Sequence, residues 1–286
     1  MNVHSDATNR APDARTAVAA WRRSRVSMAR PLQDKPDAGS GGLRARLGVI
    51  LPSVNTVVEP WFNATVPVGV TVHTTRMLLE GVTAESLKRM DEQEGLPAAL
   101  RLASCRPAAI AYGCTASSIV QGLDYDRHLA QELSAKTGSR CVTAVGAILD
   151  ALRVLGVRRL AMASPYPDAI DAAEHAFFER AGFSIEGSAN LGIADGFDLA
   201  SPTAEEIYSL AERALRGEPD AIVITCLNLN SQSVAASLEE RTGLPVVTST
   251  TATLWRLLRA AGIDDAVPGY GRLLDEPFTL AREPIA

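Results

Sequence analysis

The sequence has few of the residues on which several classes of protein depend. Its 286 residues include only four cysteines and four histidines, and they contain no HExxH, CxxC or Walker motif, so no zinc or nucleotide site is indicated. No apolar stretch reaches the roughly 18–20 residues that a membrane-spanning helix needs. A net charge of −5 argues against a nucleic-acid footprint. We therefore expect a soluble protein without metal or cofactor that binds neither nucleic acid nor membrane.

The charge is distributed unevenly along the chain. Residues 1–46 carry nine Lys or Arg against four Asp or Glu, without a sustained apolar period and with a Gly/Ser run near the end. We expect residues 1–42 to form a disordered basic tail, whose candidate origins are a targeting peptide, a regulatory arm or a start codon assigned upstream of Met28. Residues 17–21 are too short for the apolar region of a secretory signal, so we expect a cytoplasmic protein.

From residue 43 onward, short apolar runs alternate with stretches of helical periodicity, which predicts an α/β fold with parallel sheets flanked by helices. We expect two halves, residues 43–156 and 157–286, with four strands in each. The predicted strands are RLGVILP (46–52), VTVHTTRM (70–77), AAIAYGC (108–114), RCVTAV (140–145), RRLAMASP (158–165), SIEGSAN (184–190), DAIVITC (220–226) and PVVTST (245–250).

An internal repeat relates the two halves. Residues 137–157 resemble residues 242–263, and both segments open with Thr-Gly. Cys114 and Cys226 stand 112 residues apart at equivalent strand ends. Because ligands of open parallel sheets bind outside the carboxyl ends of the strands, we expect these two thiols to face one cleft between two pseudo-symmetric halves.

The four cysteines fall into two groups. Cys114, in AYGCTASS, and Cys226, in TCLNLNSQ, each end a predicted strand and precede a predicted helix. The amides and dipole at a helix N-terminus lower a thiol pKa and bind carboxylates, so this pair is the candidate reactive site. Cys105 and Cys141 are interpreted as small packing residues. Without a secretory signal, disulfides are not expected.

The order and spacing of several motifs resemble the aspartate/glutamate racemase superfamily, and within it the branch of maleate cis-trans isomerase and arylmalonate decarboxylase. The resemblance covers residues 44–277. It implies that Cys114 is the nucleophile of the isomerases and that Cys226 delivers or removes a proton. Decarboxylases keep only the second cysteine and have glycine at the position of Cys114. The motifs are LGVILPSVNTVVE, VHTTRM, AYGCTASS, ASPYPDAI, ITCLNLNS and AVPGYGRLLDE.

The same resemblance implies a set of substrate contacts. Asn55 matches the carboxylate-binding asparagine of a Pro-Ser-x-Asn loop, and Tyr166 matches a tyrosine that donates its hydroxyl to the same kind of anion. Thr115 matches a hydroxyl of the carboxylate pocket of the decarboxylases, although Ala116 follows it where they have serine. Arg76 matches an isomerase arginine, and a structural ion pair at the end of its strand is the alternative.

One implied anchor is missing from this sequence. The isomerases have an asparagine after Ala-Asp in the second half, where this chain has Gly196. Asn228 and Asn190 are the candidates to replace it. No metal ligand is assigned.

Two thiols on opposite faces of a small carboxylate support two reactions. In racemisation one thiolate removes an α-proton and the other thiol returns a proton to the opposite face. In isomerisation one thiolate adds to an olefin, the other thiol protonates the neighbouring carbon, and elimination follows rotation. We predict a cofactor-independent cis-trans isomerase of a small dicarboxylate. The alternatives are an amino-acid racemase, an arylmalonate-type decarboxylase and a non-enzymatic carboxylate-binding protein. Whether the chain forms a homodimer or a higher homo-oligomer stays open.

Overall fold

The computed structural model describes residues 42–278. The disordered tail expected over residues 1–42 therefore lies, apart from Gly42, outside the described residues. Within the described range, no helix combines the length and the apolar character that a bilayer crossing demands.

Within residues 42–278, eight strands form two parallel sheets of four, which confirms the predicted α/β class. The first sheet has the order β2-β1-β3-β4 and the second the order β6-β5-β7-β8, so both halves have the same topology. All pairings within each sheet are parallel. The strands are β1 (Ala45–Pro52), β2 (Val70–Met77), β3 (Ala109–Tyr112), β4 (Arg140–Thr143), β5 (Arg159–Ser164), β6 (Ser184–Asn190), β7 (Ala221–Ile224) and β8 (Val246–Thr248).

Helices connect the strands and flank the sheets. A π-helical turn, Asp91–Gly95, joins the second helix to the third, and short 3₁₀ turns cover Asp198–Ala200 and Ser231–Ser233. The helices are α1 (Val58–Thr65), α2 (Ala84–Met90), α3 (Leu96–Ala103), α4 (Thr115–Gln121), α5 (Leu123–Thr137), α6 (Ala144–Val154), α7 (Asp168–Arg180), α8 (Ala204–Ala214), α9 (Ala235–Thr242), α10 (Ser249–Ala260) and α11 (Arg272–Asp275).

Five strands, β3, β4, β5, β7 and β8, end one or two residues earlier than the sequence predicts. For β4 and β8, at equivalent positions of the repeat, the reason is a helix cap. The Thr143 hydroxyl accepts a hydrogen bond from the Gly146 amide, and the Thr248 hydroxyl accepts one from the Thr251 amide, each at 3.0 Å. These caps satisfy amides that a helix start would leave without partners. The sequence pattern of the residues after each threonine favours a strand. Because the threonine caps a helix, these residues instead form the first turns of α6 and α10.

The core joins the two halves into one body. Helices α6 and α10 pack against each other, and each of the two apolar clusters in the described residues draws side chains from both halves. Leu149 and Leu254, which match in the repeat, are both buried. Burial of one leucine side chain contributes about 1.5–3 kcal/mol. The shared core therefore fixes the carboxyl ends of the two sheets relative to each other.

Candidate active site

A narrow cavity of about 40 Å³ lies where strand ends from both sheets converge. It brings together six of the eight candidate site residues of the sequence, and Arg76 and Asn190 are the exceptions. The lining residues are Pro52, Val54, Asn55, Leu79, Val82, Leu87, Gly113, Cys114, Thr115, Ala116, Tyr166, Leu199, Cys226, Leu227 and Asn228.

Cys114 is held between β3 and α4 with an extended backbone, φ −133°. Its side chain is buried, and the backbone amide and hydroxyl of Ser117 lie within hydrogen-bonding reach of the thiol. A Cβ on Gly113 would come within 2.7 Å of the Ile50 carbonyl oxygen. Glycine there lets the chain pass close to β1 and aim the next side chain into the cavity.

Cys226 has a different backbone, with φ +80° in the left-handed region. A non-glycine residue costs about 1–2 kcal/mol there, and such strain is typical of functional sites. The chain after it forms a turn and the 3₁₀ turn, and α9 begins only at Ala235. The predicted helix start directly after Cys226 is therefore wrong. The Tyr166 hydroxyl and the amides of Asn228 and Leu229 face its sulfur instead.

The predicted lowering of both thiol pKa values is also wrong, because burial raises them. Burial raises the pKa of Cys114 to about 12, and the negative charge of Asp91 adds to that rise. Burial likewise raises the pKa of Cys226 to about 11, against the hydrogen bond from Tyr166. The dry surroundings oppose a thiolate more strongly than the nearby amides favour it. Both thiols are therefore protonated at neutral pH.

Asn55 is oriented by its own loop. Its Oδ1 accepts hydrogen bonds from the amides of Val57 at 3.1 Å and Val58 at 3.0 Å. The residue is buried and lines the cavity. Because Oδ1 is occupied by two donors, Nδ2 is the group of this side chain that remains for a hydrogen-bond acceptor in the cavity. This geometry suits a carboxylate ligand.

Tyr166 and Thr115 complete the polar lining from opposite halves. Tyr166, just after β5, is buried, and its hydroxyl lies beside the Cys226 thiol. Burial raises the pKa of this hydroxyl well above the usual value, so it is a hydrogen-bond donor. The Thr115 hydroxyl donates to the Ser249 hydroxyl at 3.1 Å, which ties α4 to α10 at the base of the cavity.

Arg76 supports the loop of Asn55 from outside the cavity. Its guanidinium donates to the carbonyl oxygens of Ser53 at 3.1 Å and Asn55 at 2.7 Å. It also pairs with Glu59 of α1 at 2.7 Å. The structure therefore gives this arginine the ion pair that the sequence left as its alternative role.

Asn228 lines the cavity, but its side-chain amide is hydrogen-bonded to the backbone. Its Oδ1 accepts from the Thr56 amide at 2.9 Å, and its Nδ2 donates to the carbonyl oxygens of Val54 at 3.3 Å and Gly196 at 2.9 Å. These bonds link the first half to the second at the cavity wall. Asn190 instead donates to Asp168 and does not line the cavity.

Two buried carboxylic acids behind the thiols escaped the sequence analysis. Asp91 accepts hydrogen bonds from three side chains behind Cys114, and Glu174 accepts one from Thr225, the neighbour of Cys226, at 3.1 Å. In the sequence Glu174 lies on the apolar face of its helix, since it follows Ile170 by four residues. That periodicity was the available signal. In the described range no group of three or more potential ligands could hold a metal ion.

The strained backbone of Cys226 leads to a stability prediction. Cys226→Gly is expected to be more stable than Cys226→Ala by about 0.5–1 kcal/mol, because only glycine relieves the left-handed conformation while both variants remove the sulfur. At Cys114, whose backbone is extended, the order should reverse, with alanine more stable than glycine by about 0.5–1 kcal/mol. Urea denaturation of the four variants measures both differences. The same order at both positions would contradict the assigned strain.

The chain is similar to known proteins of two kinds, arylmalonate decarboxylases and maleate isomerases. The sequence model of a family described as arylmalonate decarboxylase matches residues 47–274. The chain is similar to the maleate isomerase of Nocardia farcinica, with 30% identity over 244 residues that cover 82% of this chain and 96% of that protein. It is similar to the arylmalonate decarboxylase of Bordetella bronchiseptica, with 34% identity over 181 residues that cover 62% and 75%.

A solved structure extends the similarity to three dimensions. It is a cysteine-to-serine variant of Nocardia farcinica maleate cis-trans isomerase with a covalently bound succinylcysteine intermediate. The TM-score is 0.77 at 28% sequence identity, and the match covers 81% of this chain and 98% of that one. The resemblance read from the motifs is confirmed.

Proposed function

The chain belongs to the arylmalonate decarboxylase family, and we propose that it is a cofactor-independent cis-trans isomerase of a small dicarboxylate, with maleate as the first substrate to test. The observation that carries this proposal is the pair of buried thiols, Cys114 and Cys226, that line one small cavity. The relative with a bound succinylcysteine supports it, since that protein forms a covalent bond between cysteine and a four-carbon diacid. Decarboxylation is not favoured, because the resemblance places glycine at the first position in those enzymes.

The mechanism begins with the anchoring of one carboxylate. Asn55 Nδ2 and the Tyr166 hydroxyl are donors in a cavity that excludes most water, where charge-assisted hydrogen bonds are strong. They hold the olefin between the two sulfurs. As the first carbon–sulfur bond forms, negative charge moves onto this carboxylate, and the same donors stabilise it.

The covalent steps then use the two thiols in different roles. The Cys114 thiolate adds to one olefinic carbon, and the Cys226 thiol gives its proton to the other. The carbon–carbon bond is now single and rotates. The Cys226 thiolate takes the proton back, the carbon–sulfur bond breaks, and the trans diacid leaves. A pKa of about 11 keeps Cys226 protonated at neutral pH, as a proton donor must be.

Product analysis by NMR tests the proposal. The enzyme is incubated separately with maleate, aspartate, glutamate and phenylmalonate, and we expect fumarate from maleate alone. Runs in D₂O separate the chemistries further, because a racemase must place deuterium on the α-carbon of its inverted product. Conversion of phenylmalonate to phenylacetate, or of an amino acid to its α-deuterated enantiomer, without fumarate formation would refute the isomerase assignment.

The asparagine that faces the cavity yields a second prediction. Asn55→Asp keeps an oxygen acceptor for the amides of Val57 and Val58, but it puts a carboxylate where the substrate needs a donor. We expect kcat/KM for maleate to fall about 10- to 100-fold or more, and the free energy of unfolding to fall by about 1–3 kcal/mol because the new carboxyl group is buried. Kinetics and urea denaturation measure the two effects.

The matched control is Asn228→Asp. This variant loses the Nδ2 donor to the Val54 and Gly196 carbonyl oxygens, so its stability should fall by about 1–3 kcal/mol. Asn55→Asp with undiminished activity would exclude Asn55 as a substrate anchor. A stable Asn228→Asp would show that the bonds across the cavity wall contribute little.

A further inference from the structure

A buried carboxylate lies behind the proposed nucleophile. Asp91 belongs to the π-helical turn between α2 and α3 and is 6% exposed. The hydroxyls of Tyr112 and Tyr125 and the side-chain amide of Gln121 all donate to it, the last two at 2.8 Å. π-Helical turns inside helices occur frequently at functional sites.

Ser117 connects this carboxylate to the thiol. It follows Cys114 by three residues, so the first turn of α4 places its fully buried hydroxyl next to the sulfur. That hydroxyl lies within hydrogen-bonding reach of both the Cys114 sulfur and the Asp91 carboxylate. Its proton is donated to the Cys114 carbonyl oxygen at 3.3 Å, a long bond that the hydroxyl gives up when it turns to Asp91. A continuous path therefore runs from thiol to hydroxyl to carboxylate.

A purely structural role explains this arrangement poorly. The negative charge of Asp91 opposes ionisation of Cys114, which is the reverse of what a nucleophilic thiol requires. Burial of a carboxylate is costly even when it is hydrogen-bonded. The conflict disappears if the proton that leaves the sulfur ends on the carboxylate, because then only one negative charge is present at any time.

We propose that Asp91, acting through Ser117, is the proton acceptor that converts Cys114 into its thiolate. The proton on sulfur passes to the Ser117 oxygen while the Ser117 hydroxyl proton passes to Asp91. The net change is one proton moved and one charge exchanged, and the reverse transfer restores the thiol after elimination. The proposal rests on the assigned function for its purpose, although the proton transfer can be measured without substrate.

The groups around the path determine its pH dependence. Asp91 faces Tyr112, Tyr125 and Cys114, and Cys114 also faces Cys226 and Tyr166. Burial raises the pKa of Asp91 above its usual value, against the four donors that lower it. Below that pKa the carboxyl group is already protonated and cannot accept a proton. The rate of Cys114 reactions should therefore fall on the acid side of the Asp91 pKa.

Alkylation of the resting enzyme by iodoacetamide gives the decisive test. Modification of Cys114 is followed by peptide mass spectrometry as a function of pH, in the wild type, Asp91→Asn and the control Glu174→Gln. We expect Asp91→Asn to slow alkylation of Cys114 at pH 7 at least about tenfold and to move its rise to higher pH. Glu174→Gln removes the other buried acid, behind Cys226, and should leave the Cys114 profile unchanged.

Faster alkylation of Cys114 in Asp91→Asn than in the wild type would overturn the proposal. If Asp91 acts only through its charge, its removal stabilises the thiolate and Asp91→Asn reacts faster than the wild type. An unchanged rate would also exclude the transfer. If neither the wild type nor any variant forms fumarate but the alkylation profiles are as expected, the isomerase assignment is refuted and the proposed proton transfer stands.

A second variant avoids the risk that Asp91→Asn fails to fold. Tyr125→Phe removes one donor from the carboxylate and keeps the ring, so the pKa of Asp91 rises further. The acid limb of Cys114 alkylation should then move to higher pH by up to about one unit. Ser117→Ala should slow alkylation and also move that limb to higher pH, because it removes another donor that lowers the Asp91 pKa. If Tyr125→Phe has the wild-type profile, Asp91 does not govern the ionisation of Cys114.

Discussion

Cys114→Ser is expected to lower the turnover of maleate by about 10⁴-fold or more, with the fold intact. The hydroxyl nearly matches the thiol in size, so the buried site between β3 and α4 can accommodate it. Its oxygen is far less acidic and less nucleophilic, and the dry cavity that raises the pKa of the thiol raises that of the alcohol as well. Fumarate formation followed by NMR measures the loss, and circular dichroism with thermal unfolding checks the fold.

The other two cysteines provide the controls for this variant. The thiol of Cys105 donates to the Leu102 carbonyl oxygen at 3.1 Å, and the thiol of Cys141 lies 3.6 Å from the Ser139 carbonyl oxygen. A serine hydroxyl makes the same bonds, so Cys105→Ser and Cys141→Ser should keep turnover within about twofold of the wild type. Full activity in Cys114→Ser would eliminate the two-thiol mechanism.

Cys226→Ser is expected to reduce turnover by about 10²- to 10⁴-fold and to leave Cys114 covalently modified. The serine hydroxyl is too weak a base to remove the proton that must leave before the carbon–sulfur bond breaks. Once water has slowly supplied that proton, the adduct persists. Mass spectrometry should find Cys114 heavier by one substrate molecule after incubation with maleate.

A double variant identifies the cysteine that carries any adduct. A Cys114→Ser,Cys226→Ser protein should show no modification at all, which assigns any adduct to Cys114. If Cys226→Ser turns over maleate at the wild-type rate and carries no adduct, Cys226 is not the proton donor.

The strands and the repeat were predictable because both depend on local patterns. All eight strands lie where the apolar runs place them, and β2 and β6 agree with the predicted bounds. The sequence also predicted that Cys114 and Cys226 would meet, since equal spacing in two equal halves puts them at the same edge. The ends of β4 and β8 were less predictable, because a threonine reads as strand until its hydroxyl is seen to cap a helix.

The ionisation of the thiols and of Asp91 could not be predicted from the sequence. The pKa values of the two thiols depend on how far burial separates each sulfur from water, and a helix start next to one cysteine says nothing about that. Asp91 lies in the acidic stretch MDEQEG, which is typical of an exposed turn. Only the three-dimensional position of Tyr112 and Tyr125 shows that its carboxylate is enclosed. The roles of Asn55, Tyr166 and the other site residues stay predictions until the variants are measured.

The two sheets with identical strand order carry one more consequence, which concerns symmetry itself. If two identical chains were related by an exact twofold axis, each face of a substrate would meet the same sulfur in the same surroundings. Neither sulfur could then take a separate role. Because one chain contains both copies, the copies are free to differ. Cys114 has an extended backbone and a hydroxyl path behind it, whereas Cys226 has a left-handed backbone and a tyrosine beside it. Covalent linkage of the halves therefore allows a division of labour that an exact dimer forbids.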